Sequence, residues 1–60
     1  MLEEIKVQTH DGSGIAWRTS GRNIWIVDVP SGRFEWSGNA QAVKDEIERR
    51  ESPGRVVFRG

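Results

Sequence analysis

The spacing of apolar residues changes once along the chain, close to residue 40. Before that point apolar and polar side chains alternate, as they do from Ile5 to Thr9, and a period of two is typical of a strand with one buried side. After it, Ala40, Val43 and Ile47 recur at helical spacing. The chain therefore has to combine several strands with one helix near its C-terminal end.

Glycine, proline and asparagine divide the strand-like part into four segments. We predict strands over residues 5–9, 15–18, 24–29 and 33–37, a helix from residue 40, and a last short strand over 55–59. The expected turns between the strands lie over 11–14, 20–23 and 30–32. Asn39, or Ser37 if the helix begins earlier, is the expected N-cap, and Ser52, Pro53 and Gly54 end the helix.

This order, ββββαβ, predicts an α+β fold in a single domain over residues 1–60. The sheet is antiparallel, with four to five strands and one helix before the last strand, and it either stays open or curls into a small barrel. A single helix covers one side of an open sheet. The other side must then be exposed, closed by curling, or buried by a partner.

Alternation also assigns side chains to the two sides of the sheet. The side expected to face the helix carries Ile5, Val7, Ile15, Trp17, Ile24, Ile26, Phe34, Trp36, Val56 and Phe58. The side expected to be left uncovered carries Lys6, Gln8, Ala16, Arg18, Trp25, Val27, Val29, Arg33, Glu35, Val57 and Arg59.

The expected uncovered side suggests a binding site made of one aromatic ring and several guanidinium groups. Its candidate residues are Trp25, Arg18, Arg33 and Arg59. A sheet binds single-stranded nucleic acid by stacking bases on aromatic rings while basic groups hold the phosphates. The same tryptophan, with Val27 and Val29, would equally suit the centre of a protein interface.

Composition argues against catalysis and against metal or cofactor binding. The chain has no cysteine, and its single histidine, His10, cannot form a zinc site by itself. No nucleophile is paired with a base, and alternation places Asp28 and Glu35 on opposite sides of the sheet. We therefore expect a protein that is not an enzyme and that needs neither metal nor cofactor.

Charge and hydropathy place the chain among proteins outside the membrane. Its longest apolar runs are too short to span a bilayer, and the acidic start of the sequence is unlike a signal peptide, so a cytoplasmic location is expected. Nine basic and nine acidic residues give a formal net charge of zero, which exerts no long-range pull on nucleic acid. The predicted strands and turns nevertheless carry more basic than acidic residues.

From residue 13 to residue 59 the chain resembles the KTSC domain, a small family found alone in bacterial and phage proteins and at the C-terminus of some lysyl-tRNA synthetases. The resemblance rests on Ile15-Ala16-Trp17, Ile24 to Val27, Ser31 to Trp36, the helix with Val43 and Ile47, and Ser52 to Phe58. Phe34-Glu35-Trp36 stands where the family has its aromatic-x-aromatic signature, usually two tyrosines, and the asparagine that usually follows the closing aromatic pair is missing. The resemblance implies the ββββαβ fold and an RNA partner. Because alternation places Phe34 and Trp36 on the side that faces the helix, we interpret this signature as a structural feature of the core first and as a binding motif second.

Two functions follow from these observations. The first is a non-catalytic module that binds single-stranded RNA or other nucleic acid through the sheet. The second is a protein-interaction module, such as a phage or mobile-element accessory protein, that docks on a partner or forms a homodimer. Neutral net charge favours the second, and the basic residues of the sheet favour the first.

Overall fold

The computed structural model describes residues 2–19, 21–52 and 54–59. Its elements are β1 (Leu2–Thr9), β2 (Gly12–Thr19), β3 (Ile24–Val29), β4 (Gly32–Ser37), α1 (Ala40–Glu51) and β5 (Val56–Arg59). The predicted order ββββαβ is confirmed. Ser20 and Pro53, which the sequence assigns to turns, lie outside the described residues.

The five strands form one antiparallel sheet in the order β4-β3-β2-β1-β5. β4 and β5 are its two edges, so the sheet is open and does not close on itself. Because these edges lie on opposite sides, the connection between them has to cross the sheet, and α1 lies in that connection. Within the described residues, no helix has the length and apolar character needed to cross a bilayer.

Two short turns set the register of the sheet. Thr9 pairs with Gly12, which leaves only His10 and Asp11 in the first turn, and the Thr9 hydroxyl donates to the Gly12 carbonyl oxygen at 3.0 Å. The sequence places this turn over 11–14, but β2 already begins at Gly12, whose φ of +142° suits glycine. The second turn consists of Pro30 and Ser31, close to the expected position.

The register defines a covered side, which faces α1, and an open side. Buried on the covered side are Ile5, Val7, Thr9, Ala16, Trp25, Val27 and Val29, together with Val43 and Ile47 of α1. The faces predicted for β1, β4 and β5 are confirmed, whereas those of β2 and β3 are reversed. Ile15, Trp17, Ile24 and Ile26 lie on the open side, and Ala16, Arg18, Trp25, Val27 and Val29 lie on the covered side.

The reversal has a physical cause in side-chain size. Trp25 and Val27 are fully buried on the covered side, and the adjacent strand β2 presents small residues to that side at Gly14 and Ala16. A Cβ at position 14 would lie 2.3 Å from the Asp28 carbonyl oxygen, so no side chain fits there. Large residues on β3 are thus accommodated by small ones on β2, and the larger apolar side chains of β2 point to the open side.

α1 is fixed at its start by a cap and along its length by ion pairs. The Asn39 side-chain oxygen accepts the Ala42 backbone N–H at 2.9 Å, which confirms Asn39 as the N-cap. The buried Glu46 carboxylate accepts hydrogen bonds from Arg49 and Arg50, both as short as 2.6 Å. The Arg49 hydrogen bond, with help from Arg50 and against the effect of burial, lowers the Glu46 pKa to about 2.

Candidate functional site: the open face of the sheet

The open face consists of the side chains that α1 does not cover. Its described residues are Leu2, Glu4, Lys6, Gln8, Ser13, Ile15, Trp17, Thr19, Ile24, Ile26, Asp28, Arg33, Glu35, Ser37, Val57 and Arg59. It differs from the expected uncovered side because the faces of β2 and β3 are reversed. We take this surface as the candidate site.

Trp25 is not on the open face, so its predicted role in binding is wrong. Its side chain is 1% exposed and lies in the core, opposite Trp36 on the neighbouring strand β4. The indole N–H donates to the Gly38 carbonyl oxygen at 3.1 Å. A ring buried on the covered side cannot stack on a ligand from solvent, and Trp25 is a structural residue.

Arg18 accompanies Trp25 on the covered side, so its predicted place on the uncovered side of the sheet is also wrong. Its guanidinium carbon lies 4.6 Å from the centre of the Trp25 ring, which is a cation–π distance. Two of its nitrogens donate to the two carboxylate oxygens of Glu3, at 2.8 and 3.3 Å. Glu3 lies directly opposite Arg18 on β1, so the pair closes one end of the core.

Arg33 and Arg59 do lie on the open face, and both are exposed. They belong to the two edge strands, β4 and β5, with three strands between them. The structure therefore does not bring together the four residues that the sequence grouped into one binding site.

Phe34 and Trp36 lie on the covered side, as alternation predicts. Both are partly buried and pack against the core. The Arg50 guanidinium lies 3.7 Å from the centre of the Phe34 ring and 5.9 Å from that of Trp36. This aromatic pair helps to hold α1 on the sheet, which supports its interpretation as a structural feature.

The centre of the open face is apolar, and its most prominent residue is Trp17. Trp17 pairs with Ile26 across β2 and β3, and Ile15 follows two positions away on the same strand. All three remain partly exposed because no described part of the chain covers them, and Leu2 and Ile24 at the margin are 55% and 47% exposed. Sequence reasoning missed Trp17, although a two-residue turn at His10 and Asp11 would have indicated the correct register.

The apolar residues of this centre lie within two rows of side chains that run across the strands. The charged residues in the two rows give them net charges of opposite sign. The acidic row contains, from β4 to β1, Glu35, Ile26, Trp17 and Glu4. The basic row lies two residues further along each strand and contains Arg33, Asp28, Ile15, Lys6 and Arg59. The acidic row carries two negative charges, and the basic row carries a net of two positive charges.

The prediction that separates Asp28 from Glu35 is also wrong, for the same reason. The sequence places them on opposite sides, but both lie on the open face, because β3 presents Ile26 and Asp28 to that side. They stand in different rows, with Asp28 opposite Arg33 and Glu35 opposite Ile26. This arrangement contributes charge to a surface and does not bring the two carboxylates into direct register.

A depression of about 500 Å³ opens at the acidic row. It is lined by Trp17, Arg18, Thr19, Arg22, Ile24, Ile26 and Glu35. The lining residues include one tryptophan, two isoleucines, Arg22 and Glu35, whereas the Arg18 guanidinium itself lies against Trp25 on the covered side. This combination suits either an apolar side chain of a partner or a flat aromatic group.

The comparisons with known proteins give no information about function. No protein-family model matches the chain, and neither a curated protein nor a solved structure matches it.

Proposed function

We propose that this protein is a non-catalytic interaction module and that its open face binds a second copy of the chain. The observation that carries the proposal is the arrangement of the open face, with an apolar centre at Trp17 and Ile26 between charges of both signs. An apolar centre within a polar rim is the anatomy of a protein interface. A cytoplasmic location, which the sequence predicts, is compatible with this proposal.

The two charged rows single out a second copy as the occupant. A twofold axis that lies in the interface, parallel to the rows and between them, would place the acidic row of one copy against the basic row of the other. Glu4 would then face Lys6 of the second copy, and Glu35 would face its Arg33. The face as a whole is neutral, so two copies would not repel each other. Isologous pairing about such an axis is the commonest form of soluble oligomer.

The size of the protein makes a dimer of this kind physically useful. A chain of this length buries only about 60% of the surface that its unfolded form exposes, which leaves little stabilising energy. The accessible surface of the monomer is 4085 Å². A standard interface covers roughly 800 Å² per partner, and one open sheet face is the natural place for it.

Charge reversal provides the test. One variant carries Glu4→Lys and Glu35→Lys, and the other carries Lys6→Glu and Arg33→Glu. We expect the wild type to sediment as a dimer, each variant alone to be monomeric at the same concentration, and an equimolar mixture of the two variants to form a dimer again.

The matched control leaves the open face unchanged. It carries Glu48→Lys, which reverses an exposed charge on α1, and it should behave as the wild type does. A wild type that stays monomeric at millimolar concentration would reject the proposal. So would two variants that each dimerise as well as the wild type does.

A second candidate is binding of single-stranded RNA, now centred on Trp17 in place of Trp25. It is favoured by the depression in which Trp17 and Ile26 lie beside Arg22, because an accessible indole next to a guanidinium group can stack a base. It is also the function that the KTSC resemblance implies. The equal number of acidic and basic residues on the strands of the open face argues against strong phosphate binding.

An amide NMR titration with short single-stranded RNA, at low and at high salt, separates the two candidates. RNA binding predicts that the Trp17 indole signal shifts and that the shift weakens with salt, while the buried Trp25 indole stays in place. Trp17→Ala should abolish the response. A titration that leaves the Trp17 signal unchanged removes this candidate, whatever the oligomeric state.

A further inference from the structure

Three parts of the fold that are far apart in the sequence meet at the first turn. His10 and Asp11 form the β1–β2 turn, Glu51 is the last residue of α1, and Ser31 lies in the β3–β4 turn. One ligand atom from each of His10, Asp11 and Glu51 lies within 4.8 Å of the others. The three residues offer one imidazole nitrogen and two carboxylates.

Glu51 is the unusual member of this cluster. Its side chain is buried, with the residue only 4% exposed, and the hydrogen bond it accepts comes from the neutral hydroxyl of Ser31. Among the described residues, no lysine or arginine forms an ion pair with it. Arg49 and Arg50, which belong to the same end of the helix, both bind Glu46.

The position of Glu51 adds a second unfavourable effect. The C-terminal end of a helix carries the negative end of the helix dipole, which repels a carboxylate. Burial of a carboxylate without a cation is also costly. A charge that is disfavoured on both counts indicates that a cation belongs beside it.

We propose that His10, Asp11 and Glu51 bind a divalent transition-metal ion such as Zn²⁺. Imidazole nitrogen and carboxylate oxygen are ligands that Zn²⁺ takes in proteins, and two carboxylates match its charge. Ser31 holds the Glu51 carboxylate in place by its hydrogen bond, as residues behind a metal ligand commonly do.

The two remaining ligands are placed to receive the ion from solvent. The side chains of His10 and Asp11 are 50% and 58% exposed, and the His10 Nε2 atom lies 3.2 Å from an Asp11 carboxylate oxygen. Gly54 makes room for the ring, because a Cβ at that position would lie 2.0 Å from His10 Nδ1. The Nδ1 side of the ring therefore packs against Gly54, and Nε2 faces the Asp11 carboxylate.

The positions of the three ligands along the chain explain why the sequence predicts no metal site. His10 has no cysteine or second histidine with which to form a recognisable spacing. Its carboxylate partner Glu51 lies at the other end of the chain and reaches the turn only because α1 crosses the sheet.

The test uses the untagged chain after treatment with a chelator. Zn²⁺ titrated in a calorimeter should give a one-to-one isotherm and raise the midpoint of thermal unfolding, because a ligand that binds only the folded state stabilises it. In NMR spectra the ring signals of His10, the single histidine of the chain, should shift. Mg²⁺, which prefers oxygen ligands alone, should not reproduce either effect.

Variants locate the site. Glu51→Gln and His10→Gln should each weaken Zn²⁺ binding by about tenfold or more, since each removes a direct ligand. His10 lies in an exposed turn, so its variant keeps the test decisive even if Glu51→Gln unfolds the chain. Glu48→Gln changes an exposed carboxylate on the same helix and should leave the affinity unchanged.

Two results would overturn the proposal. One is a wild type that gives neither heat nor a shift of the His10 signals with Zn²⁺. The other is a loss of affinity in Glu48→Gln as large as that in Glu51→Gln, because that would show general attraction to acidic residues. Neither result bears on the open face, so the proposed dimer stands or falls separately.

Discussion

Trp25 connects the apolar core to a charged group on the covered side of the sheet. Its ring is buried, its N–H donates to the Gly38 carbonyl oxygen, and Arg18 stacks on its face while pairing with Glu3. Gly38 can present its carbonyl in this way because it has a φ of +128°. One tryptophan thus fixes both the packing of β3 and the polar contacts at the end of the core.

Trp25→Phe should destabilise the fold far more than the same change at Trp17. The substitution removes the hydrogen bond to Gly38 and part of a ring that fills the core, and we expect a loss of about 2 kcal/mol. Trp17→Phe on the open face should change the free energy of unfolding by no more than about 0.5 kcal/mol. Urea unfolding at low protein concentration measures both. Equal effects would contradict the assignment of the two rings to opposite faces.

The ion pairs of Glu46 make part of the stability dependent on pH. Its pKa is lowered from 4.5 to about 2 in the folded protein, mainly by the Arg49 hydrogen bond. A lowered pKa means that the ionised form stabilises the fold, so this contribution is complete above about 4.5 and is lost as the pH falls through about 2.

Glu46→Gln tests this dependence. The variant should be less stable than the wild type at pH 6, and the difference in the free energy of unfolding should shrink as the pH falls from 4.5 towards 2. Urea unfolding at a series of pH values gives the two curves. Asp45→Gln, which changes an exposed carboxylate one position earlier, is the control and should run parallel to the wild type. A Glu46 difference that is constant with pH would show that the carboxylate contributes only by packing.

At the scale of the elements, sequence patterns predicted the strands, the helix and their order. They did not predict which side chains of β2 and β3 face α1. The helix, its Asn39 cap and the faces of β1, β4 and β5 all follow from spacing. β3 could not be assigned, because five of its six residues are apolar and both of its alternations look buried. For β2 the pattern was misleading, since Ile15 and Trp17 are larger and more apolar than the buried Ala16. Which side a strand presents is decided by the volume left by its neighbours, and that volume is not local information.

Because the faces of β2 and β3 are reversed, the sequence predicted only some residues of the candidate site. Sequence reasoning expected an uncovered sheet face with a tryptophan and arginines, and such a face exists. It named Arg33 and Arg59 correctly as residues of that face, but chose Trp25 in place of Trp17. The cluster of His10, Asp11 and Glu51 could not be predicted from the sequence, because the cluster depends on where α1 ends relative to the first turn.

Gly14→Ala tests the close contact between β2 and β3 on which the register depends. The added Cβ would lie 2.3 Å from the Asp28 carbonyl oxygen and 2.8 Å from the Val29 Cα, and backbone atoms cannot move aside as a flexible side chain can. We expect a destabilisation of about 1 to 3 kcal/mol, as for other overpacked sites. Ser13→Ala, at the neighbouring exposed position, should be close to neutral. If the two variants unfold at the same urea concentration, β2 and β3 are not packed as described.

At the scale of the whole molecule, the neutral net charge and the small size both favour pairing of two copies. A chain with equal numbers of acidic and basic residues has no net field to draw in nucleic acid, but it also does not repel its own copies. Its covered side is stabilised by one twelve-residue helix, while its open side leaves Trp17, Ile15 and Ile26 partly exposed. Pairing of two open faces would cover the side of the sheet that α1 leaves exposed.

If folding and pairing are coupled in this way, the thermal midpoint must depend on protein concentration. A folded dimer that dissociates as it unfolds is stabilised by mass action, and for a chain of this size a tenfold rise in concentration should raise the midpoint by about 5 °C. Trp17→Lys, which places a charge in the apolar centre, should abolish this dependence and leave a folded monomer with a constant midpoint. Calorimetric scans from micromolar to millimolar concentration measure both proteins, and Gln41→Lys, at an exposed position of α1 away from the open face, serves as the control for an added charge. A wild-type midpoint that does not move with concentration would mean that the open face faces water in the folded protein, and that a different occupant has to be sought for it.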